Sequence, residues 1–338
     1  MDIQTAIKSM IARQDLSSDD MVSVMRQIMT GECTQSQIGG FLVGLHMKGE
    51  TVDEISAAAK VMRELATRVE VDVDHLVDTA GTGGDSSGSF NISTASALVA
   101  AAAGAKVAKH GNRSMTSSSG SADVLEAAGV KLDVSPEKVA ECVNRVGVGF
   151  MFAPAHHGAM KHAIGARKEL AVRTVFNVLG PLTNPAGAPN QVIGVFHADL
   201  VELMANVLKQ LGSRHVMVVH AEDGMDEISI SAPTRVAELQ DGEVTTYTIT
   251  PGDFGMQTAS IDELRVTSAE QSLVKIREVF ADKKGPAHDI VCLNAGAAIY
   301  VAGCADSLAA GIEAARAAIA SGKAAEVLQN LVQESNSR

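Results

Sequence analysis

Tryptophan is missing from the 338 residues, and other aromatic side chains are scarce, with eight Phe and two Tyr. A surface that stacks successive nucleic-acid bases needs more rings than that. Positive charge is also in short supply. Lys and Arg number 28 against 40 Asp and Glu, a formal net charge of −12, which argues against a chain that neutralises long runs of phosphate. Cysteine is confined to Cys33, Cys142, Cys292 and Cys304, with no CxxC pair, so free thiols in a reducing compartment are expected. No apolar run approaches the roughly 18 residues of a membrane span. The stretch from Ala95 to Ala105 is short and lacks bulky side chains. Met1-Asp2-Ile3-Gln4-Thr5 has no basic segment leading into an apolar one, so no secretory leader is indicated. The expectation is a cytoplasmic protein with neither nucleic acid nor membrane as partner.

What is present reads as a folded α/β protein. Hydrophobic residues make up 46 %, an ordinary globular share. At roughly 100–200 residues per domain, the length accommodates two domains or one large domain with an appendage. The first 70 residues carry helical signals alone. Ile3, Ile7, Met10 and Ile11 form one stripe, Met21, Val24, Met25 and Ile28 a second that stops near Gly31. Thr34-Gln35-Ser36-Gln37 and Thr51-Val52-Asp53-Glu54 have capping-box spacing before further helices. From about Leu76, strand-length runs alternate with helical ones. Candidate strands are Leu76–Thr79, Ala105–Ala108, Val192–Phe196, His215–Val219 and Ile290–Leu293; candidate helices include Ser93–Ala103, Asp199–Leu211 and Ala269–Phe280. Ser135-Pro136-Glu137 opens another helix. Such alternation implies a mainly parallel sheet covered by helices. Asp241-Gly242 between two β-like runs predicts an antiparallel hairpin appended to it. His156–Val172 reads as a helix and Gly180–Pro185 as a rigid turn, which together suggest that the chain returns to the helical lobe. The expected division is a helical domain over 1–72, joined by the return around 156–185, and an α/β domain over 73–338.

Four stretches carry chemistry. Asp78-Thr79-Ala80-Gly81-Thr82-Gly83-Gly84-Asp85 follows a strand, and its glycines let several amides face one anion. It has neither the Walker nor the GxGxxG pattern, and by itself a tight turn explains it equally well. Asn91-Ile92-Ser93-Thr94 opens an Ala-rich helix whose first amides and dipole favour phosphate. Lys109 to Ser121 follows the next strand with two cations, an Asn and six hydroxyls. A solvated Ser-rich loop is the plain alternative, but loops at the carboxyl ends of parallel strands form ligand crevices. Asp226-Glu227 is a pair of adjacent acids after a strand; a solvated loop is again the plain alternative. His156-His157 lacks metal-motif spacing such as HExxH.

In this order, Gly81-Thr82-Gly83-Gly84-Asp85, Asn91-x-Ser93-Thr94, Lys109-His110-Gly111-Asn112-Arg113 and Gly180-Pro181-Leu182-Thr183-Asn184-Pro185 resemble the anthranilate phosphoribosyltransferase family. The resemblance runs from the N-terminal helices to about residue 330. It implies a nucleoside phosphorylase/phosphoribosyltransferase-like fold and a phosphoribosyl-diphosphate-binding α/β domain. It also implies transfer of a phosphoribosyl group from 5-phosphoribosyl 1-diphosphate to anthranilate in tryptophan biosynthesis, in a homodimer paired through the helical lobe. The sugar diphosphate would lie across Gly81, Gly84, Asp85, Ser89, Asn91, Ile92, Ser93 and Thr94. It would also touch the loop Lys109, His110, Gly111, Asn112, Arg113, Ser114, Met115, Thr116 and Ser117, with Ser121 beyond. Mg²⁺ would be held by Asp226 and Glu227, with Ser93 touching a second ion. Anthranilate would meet Asn112 and Arg167, with His157 and Pro181 lining its path and His110 close by. An Arg fork suits its carboxylate, although a surface-helix Arg beside Lys168 and Glu169 is the plain reading of Arg167. Ser89 stands where the family often has Thr, and Ser118 where many relatives have Lys. No residue is expected to act as a nucleophile.

Two other readings have stated costs. A pyrimidine nucleoside phosphorylase would carry Lys-His-Ser where this chain has Lys109-His110-Gly111. A non-catalytic nucleic-acid-binding relative would need a basic groove, against a net charge of −12.

Overall fold

Four helices open the chain, each starting where a side chain accepts one of the first free amides. In this computed structural model, which describes residues 1–84, 87–113 and 119–337, they are α1 (Ile3–Ile11), α2 (Ser18–Thr30), α3 (Gln35–Lys48) and α4 (Val52–Leu65). Asp2 caps α1 through the Thr5 amide at 2.8 Å, and Ser17 caps α2. Both expected capping boxes form, Thr34 with Gln37 and Thr51 with Glu54. Gly31 ends α2 in the left-handed region at φ 83°. The apolar stripes face inward, so that Met21, Val24, Ile28, Phe41, Leu42 and Leu45 are wholly buried. Glu54 is buried with them and accepts from the amides of Leu16 and Thr51 and from the Lys48 ammonium, each at 2.9 Å.

The sheet follows. Strand β1 (Leu76–Gly81) leads through α5 (Ile92–Ala102) to β2 (Lys106–Gly111), and α6 (Ser121–Ala127) and α7 (Pro136–Val146) lead to β3 (Val148–Phe152). Short pieces come next: α8 (Ala153–His156), a 3-10 turn over Gly158–His162, α9 (Ile164–Leu170) and α10 (Phe176–Leu179). The chain re-enters the sheet as β4 (Asn190–Gly194) and crosses by α11 (Leu200–Gln210) to β5 (His215–Ala221). It then turns through the hairpin β6 (Thr234–Gln240) and β7 (Glu243–Ile249). Helices α12 (Ala269–Phe280), α13 (Pro286–Val301), α14 (Leu308–Ala320) and α15 (Lys323–Asn336) follow.

Strand order is β3-β2-β1-β4-β5-β6-β7, with the first five parallel and the hairpin antiparallel. Asp241 and Gly242 take φ of 51° and 79° at its tip, as the tight turn requires. One face of the sheet packs on α5, α13 and their neighbours, the other on α11, α1–α4 and residues 163–182, in two large apolar clusters. Gly296 of α13 and Gly311 of α14 lie so close that a Cβ on either would strike the other helix's backbone. At the far end of β5 and β6, Glu238 accepts from Tyr247 Oη at 2.6 Å and pairs with His215 Nε2 at 2.8 Å. The Tyr300 ring stands edge-on to His215, their centroids 4.7 Å apart.

Two expectations are corrected and one strand is added. Ile290–Leu293 is no strand but lies inside α13, which is buried nearly all round and so shows no amphipathic period. Val148–Phe152 supplies the parallel strand in its place, straight after the left-handed Gly147. His156–Val172 is broken into pieces at His157 and Ala163 and stops at Ala171, where φ is 51°.

Glu54→Ala should cost about 2–3 kcal/mol in urea denaturation, because one buried amide, one partly buried amide and an ammonium lose their acceptor. Glu54→Gln should cost less. A loss under about 0.5 kcal/mol for the alanine variant would mean that solvent replaces the carboxylate.

Candidate active site

Chain order runs outward from β1 to β3 and then jumps back to β4, so β1 and β4 flank the topological switch point, where open α/β sheets form their ligand crevice. The last pair there is Gly81 opposite Gly194. Both must be glycine. A Cβ at Gly194 would land on the Asp226 carbonyl, and one at Gly81 would come within 2.5 Å of Asp226 Oδ2. Into this space Asp226 turns its carboxylate to accept from the Gly83 amide at 2.8 Å. Gly83 and Gly84 have φ of 68° and 78°, which turns the loop back over the strand end. Thr82 ties the loop to the segment just after β4, its Oγ1 accepting from Phe196 N at 3.0 Å. Arg173 fastens it from outside, donating to Gly84 O at 2.7 Å while its guanidinium lies 3.8 Å over the Phe196 ring.

The expected helix start is present one element later. Asn91 caps α5 by accepting from Thr94 N at 3.1 Å, and Ser121 Oγ donates to the same Asn91 oxygen at 3.4 Å. Ser89 bridges to Arg265, and Ile92 and Thr94 are buried. Ser93 Oγ receives the Lys109 ammonium at 3.2 Å, which also donates to Thr79 O at 2.6 Å. Lys109 is only 2 % exposed. Burial lowers its pKa, opposed by the negative charges of Asp78, Glu227 and Asp226. Lysine and acids thus share one pocket.

His110 N donates to Asp78 Oδ1 at 3.1 Å, and the His110 ring meets His157 edge-on with centroids 5.0 Å apart. Burial holds both imidazoles neutral, with pKa values near 3 for His110 and near 4 for His157. Neither Nε2 has a hydrogen-bond partner among the described residues. Gly180 and Thr183, from the Gly180–Pro185 turn, abut the two rings through their backbones. Arg167 is half-buried, 5.3 Å over the Phe176 ring, and has no carboxylate partner among the described residues. Arg113 faces elsewhere: it donates to Glu126 through both terminal nitrogens, at 2.7 and 2.9 Å, and to Asp123 at 3.1 Å. Asn112 is exposed beside it, and Gly111 packs its bare Cα against Phe150 and Ser121. Asp85 and Ser114 to Ser117 lie outside the described residues.

The donor set suits magnesium. Asp226, Glu227 and Ser93 offer hard oxygens on the segments that Lys109 draws together. Among the described residues no cluster of three or more His, Cys, Asp or Glu could hold a metal alone. Two acids are what Mg²⁺ uses when phosphate and water complete its shell. Sequence reasoning missed Asp78, Asn184, Gly194 and Arg173. Asp78 carried one signal, a carboxylate inside an otherwise apolar strand.

Two family models match the chain, one described as "Glycosyl transferase family, helical bundle domain" over residues 4–66, the other as "Glycosyl transferase family, a/b domain" over 73–325. The chain is 69 % identical over 332 residues to the anthranilate phosphoribosyltransferase of Thioalkalivibrio sulfidiphilus, covering 98 % of each. It is 62 % identical to that of Cellvibrio japonicus, again covering 98 % of both. Among solved structures it matches the Thermus thermophilus anthranilate phosphoribosyltransferase with a TM-score of 0.93 at 43 % identity, covering 98 % of this chain and 99 % of that one. The Saccharomyces cerevisiae enzyme in complex with PRPP and Mg matches with a TM-score of 0.90 at 25 % identity, covering 99 % and 98 %.

The neutral histidine pair makes stability depend on pH. Below about pH 6.5 the unfolded chain protonates both imidazoles, whereas the folded chain resists until about 4 and 3, so stability falls as pH falls through that window. Asp78 acts oppositely between 3.8 and about 6, because its buried carboxyl keeps its proton longer in the folded state. Between pH 7 and pH 5, His157→Gln should therefore lose less unfolding free energy than the parent, by on the order of 1–2 kcal/mol. Equal losses in urea titrations would mean that His157 titrates as it does in water.

Proposed function

The chain belongs to the anthranilate phosphoribosyltransferase family, and from that premise we propose that the switch-point crevice is where its two substrates meet. The enzyme transfers the 5-phosphoribosyl group from 5-phosphoribosyl 1-diphosphate to the amine of anthranilate, releasing diphosphate, in tryptophan biosynthesis. The observation that carries the site assignment is the meeting of the Gly81–Gly84 loop, the α5 start and Asp226 around one buried lysine. The pyrimidine nucleoside phosphorylase reading is not favoured by these relatives.

The diphosphate lies along the amides of the glycine loop and of α5, meeting Gly81, Gly84, Asp85, Ser89, Asn91, Ile92, Ser93 and Thr94. Residues Lys109 to Ser117 and Ser121 supply its further contacts. Asp226 and Glu227 would hold Mg²⁺, with Ser93 at a second ion, and the metal would neutralise charge on the departing diphosphate. Lys109 acts from below: its charge balances the two acids and orients Ser93 Oγ. Arg113 contributes by anchoring the loop to α6, its guanidinium already taken by Glu126 and Asp123. Arg167 receives the anthranilate carboxylate, since a half-buried guanidinium without a carboxylate is under-satisfied. Asn112, His110, His157 and Pro181 line the path of the ring.

An aryl amine is neutral at pH 7 and needs no base before attack. Its lone pair forms the C1–N bond as the C1–O bond to diphosphate breaks, with inversion, and the amine proton leaves to solvent afterwards. Positioning and electrostatics account for the acceleration, and no side chain becomes covalently modified. Arg173, bonded to Gly84 O at 2.7 Å, joins the helical lobe to the crevice, so closure of that lobe would exclude water. We take that lobe as residues 1–72 with 156–185, and the α/β domain as 73–338. Ile11 and Met47, 77 % and 69 % exposed at the ends of α1 and α3, support a homodimer through it. The four free cysteines suit the cytoplasm, and the negative net charge leaves nucleic acid and membrane surfaces without a role as partners.

Loss of anthranilate fluorescence on adding 5-phosphoribosyl 1-diphosphate, with and without Mg²⁺, tests the assignment. Turnover should require the metal. No turnover with all three present would defeat it. Arg167→Ala should raise KM for anthranilate on the order of 10–100-fold with a much smaller change for the sugar. Equal effects on both substrates would remove Arg167 from its assigned role.

A further inference from the structure

The backbone ladder between β1 and β2 stops early. It pairs Leu76 with Lys106 and Val77 with Val107 and goes no further, although β1 stays paired to β4 as far as Gly81 and β2 to β3 as far as Gly111. Beyond Val77 the seam is bridged by side chains. Asp78 Oδ1 accepts from His110 N at 3.1 Å, Asn184 Nδ2 donates to Ala108 O at 2.8 Å, and the Lys109 ammonium crosses to Thr79 O. Asp78 is fully buried and its Oδ2 has no hydrogen-bond partner among the described residues. Asn184 is 5 % exposed and is itself held by the Ala186 amide at 2.9 Å. A buried carboxylate is costly, and its hydrogen bonds from the His110 amide and the Asn184 side chain are what make Asp78 tolerable here.

We infer that Asp78 and Asn184 are positioning residues for the sugar-diphosphate site, holding the unzipped seam at the width that lets Lys109 lie across it and reach Ser93. Neither touches substrate. Each replaces a strand-to-strand bond: the carboxylate takes the His110 amide, and the Asn amide takes the Ala108 carbonyl. If either were removed, β2 would be free to close on β1 or drift from it, and Lys109 would leave the Ser93 hydroxyl. The Gly180–Pro185 turn thereby gains a task of its own, which is to deliver Asn184 to the sheet. The inference rests on the sugar diphosphate binding in this crevice.

The test is calorimetric binding of 5-phosphoribosyl 1-diphosphate in MgCl₂, alongside steady-state kinetics. Asp78→Ala should weaken binding on the order of tenfold or more, and KM for the sugar should rise correspondingly. Asp78→Asn keeps an acceptor for the His110 amide and should recover most of the lost affinity. A merely structural role would lower the active fraction, and so the apparent kcat, without moving the dissociation constant. Where Asp78→Ala does not fold, Asn184→Ala should show the same weakening from the other side of the seam. Affinity within about twofold of wild type in the alanine variants, or Asp78→Asn as weak as Asp78→Ala, overturns the inference. Wild-type protein that binds no sugar diphosphate overturns the site reading beneath it; wild-type binding with unchanged variants overturns the positioning role alone.

Discussion

An ammonium group that is only 2 % exposed has to be surrounded by oxygen atoms, and Lys109 draws its oxygens from separate parts of the chain. Thr79 supplies a carbonyl at the end of β1 and Ser93 a hydroxyl at the start of α5. Asp78, Glu227 and Asp226 supply the opposing charge. A buried charge is tolerable only with such company. The requirement brings the glycine loop, the helix start and the acidic loop after β5 to one place. The acids in turn would repel a polyanion unless cations stood between them and it. Lys109 meets part of that need from within the protein.

Space at this point is as constrained as charge. Asp226 occupies positions that any side chain on Gly81 or Gly194 would claim, so the facing ends of β1 and β4 are obliged to be bare. Arg173 closes the loop from the helical side, stacked on Phe196 and bonded to Gly84. The linker after α4 is stitched to the same region, with Thr67 N bonded to His156 O and Val69 N to Pro185 O. These main-chain bonds tie the first segment of the helical lobe to its returning one.

Local physics was legible in the sequence, and tertiary physics was not. Thr34–Gln37 and Thr51–Glu54 read as capping boxes because a cap needs only residues three apart. Asp241-Gly242 read as a hairpin for the same reason. Ile290–Leu293 misled because a helix enclosed on every side has no polar face, and a four-residue apolar window within it looks like a strand. The glycine loop, the α5 start and Asp226-Glu227 were visible as separate motifs. Their convergence followed from strand order, which no motif states. Arg113 illustrates the limit: its acids lie 10 and 13 residues away on α6, and only the fold shows that its charge is already spoken for. Asp78 and Asn184 stood inside the quoted motifs without a role, because the ladder whose ending gives them one becomes visible only in the sheet.

The Glu238 network has an optical consequence. Both tyrosines of the chain belong to it: Tyr247 donates its hydroxyl to a carboxylate, and Tyr300 lies against His215. A phenol bonded to a carboxylate loses its excited-state energy readily, and there is no indole to emit at longer wavelength. The protein is accordingly almost dark where aromatic amines glow. An aminobenzoate entering the crevice would be the sole chromophore excited in the near ultraviolet, so its emission would report the polarity of the pocket directly, with no background from the protein.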